Sequence, residues 1–166
     1  MKRQETGRLN DAVRAYTRQL NEGQLQQAYR GIMAFMSQLK TRLERAFPDY
    51  ASSAVYPGYL DMTYFALTPP VLKQRNLKIA VVYLHQECRF EVWLAGANRK
   101  VQADYVQLLS GRELGRFTLS QVQPGVDAII ASPLIEHPDF DRTEDTQSQI
   151  EATLADFIRD IISLLE

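Results

Sequence analysis

The stretch Leu77–His85, LKIAVVYLH, constrains the chain most: only Lys78 and His85 in it are polar. A short run rich in β-branched residues reads as a central strand covered on both faces. A tight turn near Gln86-Glu87-Cys88 separates it from Arg89–Ala95, RFEVWLA, in which charged or aromatic residues alternate with plainly apolar ones. The two segments are expected to pair as an antiparallel hairpin. An isolated hairpin is only marginally stable, so the rest of the chain must extend the sheet and cover it.

The preceding segments change period. Leu9, Ala12, Val13, Tyr16 and Leu20 form one helical stripe, and Asn21-Glu22-Gly23 reads as its stop. A longer helix follows, with the stripe Leu25, Ala28, Tyr29, Ile32, Met33, Met36, Leu39 and Leu43, ended by Pro48. The short connection predicts an antiparallel helical hairpin, and the second stripe is expected to be core. Ala51–Ser53 reads as a loop and Val55–Leu67 as a strand, closed by Thr68-Pro69-Pro70. Val71–Asn76 has room for a helical turn.

Beyond the hairpin, Gly96-Ala97-Asn98 leads into a helix over 99–109 with the stripe Val101, Tyr105, Leu108 and Leu109. Gly111 and Gly115 bracket an irregular connection. A strand is expected from Val126 to Ile135, and its Pro133 points to an edge or a bulge. An acidic loop, 138–145, precedes the last helix, with Thr143 or Asp145 as its expected cap. That helix carries Ile150, Leu154, Phe157, Ile158, Ile161 and Leu165. The sum is a single α+β domain over 1–166. It has an N-terminal helical hairpin, a mainly antiparallel sheet of three to four strands, a helix between the last strands and a C-terminal amphipathic helix. Four helices would cover both sheet faces.

Composition narrows the function classes. With 166 residues, 45% hydrophobic and 23% charged, the chain is globular in character. No apolar run reaches membrane-spanning length, and the N-terminus lacks the apolar stretch of a secretory signal. The lone Cys88 fits a reducing cytoplasm. A net charge of −1 gives no general attraction to nucleic acid. The charge is uneven: residues 1–50 hold 9 basic and 5 acidic side chains (+4), residues 132–166 hold 2 and 9 (−7). The segments are expected to lie side by side within one fold, or to match across two chains.

Cofactor motifs are missing. His85-x-x-Cys88 offers two zinc ligands where a closed site needs four, and His137 stands in a loop without a calcium-binding pattern. A nucleophilic Cys88–His85 pair would be poorly aimed, and the chain has neither a Gly-x-Ser-x-Gly elbow nor a phosphate-cradling glycine loop. No cofactor is expected, and enzymatic activity is not favoured. A polar and aromatic surface is. Arg89, Glu91 and Trp93 share one face of their strand; Tyr59, Asp61 and Thr63 share one face of theirs. If both rows fall on one side of the sheet, an arginine fork, two carboxylates and two aromatic rings converge. Asn98, Arg99 and Lys100 would add a helix start nearby. The alternative is a self-satisfied polar layer, with Arg89 paired to Glu91 or Asp61 beneath a helix.

Two resemblances bear on these residues. The order of helices and strands resembles the core of the PD-(D/E)xK nucleases, in which a strand carboxylate and a Glu-x-Lys hold a divalent metal. Asp61 and Glu91 would stand for the carboxylates, but Trp93 occupies the lysine position, leaving Lys78 as a substitute. The segments 56–65 (YPGYLDMTYF), 89–98 (RFEVWLAGAN), Val126-Asp127 and Pro138-Asp-Phe140 resemble a family of small bacterial proteins described as a domain of unknown function. That resemblance implies a bacterial, cytosolic protein. The function expected is a non-catalytic module binding a small molecule or a protein through Tyr59, Asp61, Arg89, Glu91, Trp93, Asn98 and Arg99, with a homodimer among its assemblies. A divergent or inactive nuclease is the second reading. A third, a structural partner of another protein, would show as an apolar stripe left exposed.

Overall fold

A computed structural model describes residues 8–121 and 127–166. Helix α1 spans Leu9–Asn21 and α2 Gln24–Ala46, joined through Gly23 in the left-handed conformation (φ 83°). The chain then enters a sheet: β1 (Ala51–Ser52), β2 (Met62–Thr68), the single turn α3 (Pro70–Lys73), β3 (Leu77–Leu84) and β4 (Arg89–Gly96). Helix α4 (Arg99–Ser110), β5 (Ala128–Glu136) and α5 (Thr143–Leu165) complete the chain. The five strands lie in sequence order, β1-β2-β3-β4-β5, all neighbours antiparallel. The α+β class, the helical N-terminus, the helix between the last strands and the C-terminal helix match expectation.

Several local expectations need correction. Ala51-Ser52 is a short strand rather than a loop, so the sheet has five strands among the described residues. The expected strand over 55–67 begins only at Met62: Tyr56 bridges back to Tyr64, and the intervening residues form the tip of a hairpin. Gly58 (φ 72°) and Leu60 (φ 64°) both adopt left-handed backbone there. The expected start of β5, Val126, lies outside the described residues. Pro133 sits in this last strand beside a register shift, as its ring requires. Neither Thr143 nor Asp145 caps α5. Its N-cap position is Arg142, and the Thr143 hydroxyl donates instead to the Phe140 carbonyl.

The core lies between one sheet face and the helices. Phe65, Leu67, Ile79, Val81, Tyr83, Phe90, Val92 and Leu94 meet Phe35, Met36, Leu39 and Leu43 of α2 and Ile150, Leu154, Phe157, Ile158 and Ile161 of α5. Leu109 of α4 and Leu72 of α3 join the same cluster. Phe140 folds the acidic loop inward, with its ring 5.1 Å from Phe35 and 5.7 Å from Tyr83. The basic and acidic segments do meet here: Arg42 of α2 contacts Glu144 at 2.9 Å and Glu151 at 3.1 Å, both on α5.

All this covering is one-sided. The register places Met62, Tyr64, Ala66, Lys78, Ala80, Val82, Leu84, Arg89, Glu91 and Trp93 on the other face. No helix among the described residues packs there, and Ala131 and Pro133 of β5 are exposed. The expectation that helices cover both faces is therefore overturned. Antiparallel sheets can leave one face to water, and here large flanking side chains shield the small central ones. The N-terminal half of α2 is also less buried than its stripe implies. Met36, Leu39 and Leu43 are core, but Leu25, Tyr29, Ile32 and Met33 are half-buried and Ala28 is exposed.

Candidate functional site

The wet sheet face carries the cluster expected from β4. Glu91 is 8% exposed and accepts two hydrogen bonds, from Arg89 Nε at 2.7 Å and from Trp93 Nε1 at 2.8 Å. Arg89 Nη2 adds a contact of 2.6 Å to the same carboxylate. The strand pleat explains this, because residues two apart project side by side. Arg89 and Trp93 remain half-exposed. The carboxylate is thus a local organiser: it fixes the guanidinium on one side and the indole on the other.

The remaining expected residues do not join it. Thr63 pairs with Tyr83, and Tyr83 with Phe90, so Thr63 lies on the core side of the sheet. Tyr59 and Asp61 precede β2 and belong to the hairpin tip. Tyr59 is 87% exposed, and its backbone N–H donates to Asp61 Oδ1 at 2.9 Å. That bond holds the Asp61 carboxyl below its ordinary range. Asn98 caps α4, its Oδ1 accepting from Val101 N at 2.9 Å. Arg99 is exposed in the first turn of that helix. Arg89, Glu91 and Trp93 form one constellation; Tyr59 with Asp61, and Asn98 with Arg99, form two others.

The tip side also holds a polar cluster that sequence reasoning split apart. The Thr63 hydroxyl donates to the Pro57 carbonyl at 2.7 Å and lies 2.8 Å from His85 Nε2. With its proton given to Pro57, Thr63 can only accept from His85, which assigns the imidazole proton to Nε2. Thr63 is therefore not an activated nucleophile. Burial lowers the pKa of the His85 ring and so favours its neutral form, against an opposing pull from Asp61. Cys88 is exposed, and its sulfur accepts from the Tyr83 hydroxyl at 3.6 Å. Among the described residues no group of three or more His, Cys, Asp and Glu side chains gathers as a metal site. Asp61 stands at the hairpin tip and Glu91 is committed to Arg89 and Trp93, so the pair proposed for nuclease chemistry is not assembled.

Another surface was missed. Among the described residues the exposed large hydrophobics are Leu9, Val13, Tyr16, Tyr56, Tyr59, Leu60, Val71 and Leu108. The first six belong to α1 and the hairpin tip. These two elements and α2 enclose an open hollow of about 350 Å³, lined by Tyr16, Leu20, Leu25, Tyr29, Tyr59 and Leu60, among others. Helix α1 buries none of its residues. The available signal was the charge pattern of α1, which keeps one side wholly apolar.

No helix among the described residues is long and apolar enough to cross a membrane. No curated protein and no solved structure matches the chain. A family does match, over residues 9–165, which takes in both the β4 cluster and the hollow beside α1. The chain belongs to the family described as Domain of unknown function (DUF7000).

Proposed function

We propose that this protein is a non-catalytic, cytoplasmic interaction module that engages other protein surfaces through α1 and the β1–β2 hairpin tip. The observation carrying this reading is the concentration of six exposed large apolar side chains on those two elements. Scattered single apolar residues are ordinary on a protein surface, whereas apolar residues gathered at a hollow, as Tyr16, Tyr59 and Leu60 of these six are, mark a docking surface. Backbone strain at the tip supports the same reading. Leu60 sits at φ 64°, a conformation that costs an L-residue about 1 kcal/mol or more, and still presents its side chain to solvent. A tip selected only for folding would place glycine or asparagine there.

The test is affinity purification of the full tagged chain from cells that express it, beside the Val13→Glu variant. The native chain is expected to bring down at least one protein, an untagged copy of itself included, that the variant loses while its circular dichroism keeps the sheet signal. A set of co-purifying proteins identical in both would overturn the reading.

The uncovered sheet face supports a second, small-molecule reading. Trp93 and Tyr64 stand half-exposed there around Ala66, Ala80 and Ala131, with the Arg89–Glu91 pair beside them. Trp93 is the only tryptophan, so its emission reports directly on that face. Screening carboxylate and phosphate metabolites by this emission should give a saturable change that Arg89→Ala removes; a flat response across the screen ends this reading.

A further inference from the structure

Helix α1 draws little support from the core of one copy. It has 13 residues, none buried and only Leu20 half-buried, and isolated helices of that length are marginal in water. Its side chains are nevertheless sorted sharply. At 100° per residue, Leu9, Val13, Tyr16 and Leu20 fall within a sector of about 60°. Their spacing of four, three and four residues is that of a seam between packed helices. The flanking positions are Asn10 and Thr17 on one side and Ala12 and Gln19 on the other, all uncharged. Asp11, Arg14, Arg18 and Glu22 project from the opposite side, where Arg14 and Asp11 already pair at 2.6 Å.

Resting on the interaction-module reading, we propose that the occupant of this surface is a second copy of the chain, joined through α1 of both copies around a two-fold axis. Flanking charges are what ordinarily choose a helix's partner. A seam meant for a different, charge-selected partner would carry one sign at its borders. A seam that meets itself must avoid like charges there, and Asn10, Thr17, Ala12 and Gln19 at the borders of this one carry none. Apolar positions 9, 13, 16 and 20 are symmetric about their midpoint, so in an antiparallel pair Leu9 of one copy meets Leu20 of the other and Val13 meets Tyr16.

Size decides how far the interface extends. A 13-residue helix is about 20 Å long and about 10 Å wide, a face on the order of 200 Å². A stable interface takes about 800 Å² from each partner. Two α1 helices alone fall short, so the second copy must also cover the start of α2 and the exposed Tyr59 and Leu60 beside the hollow.

The experiment is light scattering on the full chain after size exclusion, from about 1 to about 200 µM, where mass action separates dimer from monomer. The native protein is expected to approach twice 19.0 kDa as concentration rises. Leu9→Glu and Val13→Glu, each placing a carboxylate in the seam, should raise the dimer Kd at least about tenfold. Arg14→Glu, on the charged side, should leave it unchanged. Tyr59→Ala should weaken it without abolishing it. Because Leu9 and Val13 are exposed within one copy, their variants keep the core, which unchanged near-ultraviolet circular dichroism verifies. A native chain that stays at 19.0 kDa throughout overturns the proposal, as does a dimer indifferent to Val13→Glu. If the native chain is monomeric yet loses co-purifying proteins on Val13→Glu, self-association fails alone and the interaction module survives. If co-purification is also indifferent to Val13→Glu, both fall.

Discussion

Glu91 shows how one side chain can order a solvent-facing sheet surface. Its two acceptor bonds satisfy the Trp93 indole and anchor Arg89, and its own exposure is only 8%. Replacing it by alanine strands the indole N–H and frees the guanidinium, so Glu91→Ala is expected to cost about 1–3 kcal/mol in urea unfolding. Glu91→Gln keeps an acceptor and should cost less. The lone Trp93 should emit differently in Glu91→Ala before any unfolding; equal stability and emission in both variants would show that the cluster organises nothing. His85 gives a pH dependence with a definite sign. Burial lowers its folded pKa below the unfolded value of about 6.5, so the native state prefers the neutral ring. The contribution is complete above that unfolded value and is lost as pH falls from about 6.5 through the lower folded pKa. Urea midpoints of the native chain should therefore drop between about pH 7.5 and 5.5 more than those of His85→Asn, which has no charge to gain. Parallel profiles would remove His85 from the account.

At the scale of elements, the hairpin tip holds the tightest backbone constraint. A Cβ on Gly58 would lie 1.9 Å from the Met62 carbonyl oxygen, and the backbone there is left-handed. Gly58→Ala is expected to destabilise by more than about 1 kcal/mol. Leu60→Asn, by contrast, should stabilise by up to about 1 kcal/mol, because asparagine tolerates the same φ. If Leu60→Asn also weakens association, the strained leucine is retained for contact; if it stabilises with no loss of association, the tip is only a turn. This tip is also where the sequence was least legible. Tyr56, Tyr59 and Leu60 made 55–67 look like continuous strand, since β-propensity cannot separate an aromatic that packs from one that protrudes. The α2 and α5 stripes and the β3–β4 hairpin were legible, because a sustained period or a tight turn leaves few alternatives. The α5 cap was not, since the Thr143 hydroxyl is used on the Phe140 carbonyl and Asp145 pairs with Arg142. At the site, the adjacency of Arg89, Glu91 and Trp93 follows from the pleat alone. Whether the Thr63 row shares a side with the Glu91 row depends on the pairing register between strands, which neither segment fixes alone.

The molecule as a whole is two layers, a five-stranded sheet and the helices on one face, with α1 standing apart from the core. A helix that buries nothing adds little to the stability of a single copy, whereas α2 and α5 supply the opposing wall of the core. Removing residues 1–21 should therefore leave the urea unfolding of dilute protein within about 0.5 kcal/mol of the full chain. The slope of that transition should hardly change, since it follows the surface exposed on unfolding. Shortening α5 before Phe157 should instead abolish cooperative unfolding, because Phe157, Ile158, Ile161 and Leu165 leave the core together. At high concentration the two N-terminal forms should part. Stability that comes from association grows with concentration, so only the full chain should gain in midpoint as concentration rises. If the shortened chain is already much less stable when dilute, α1 belongs to the fold of one copy. Its exposed stripe would then have a structural role, and the division between a self-sufficient core and a helix held for docking would not stand.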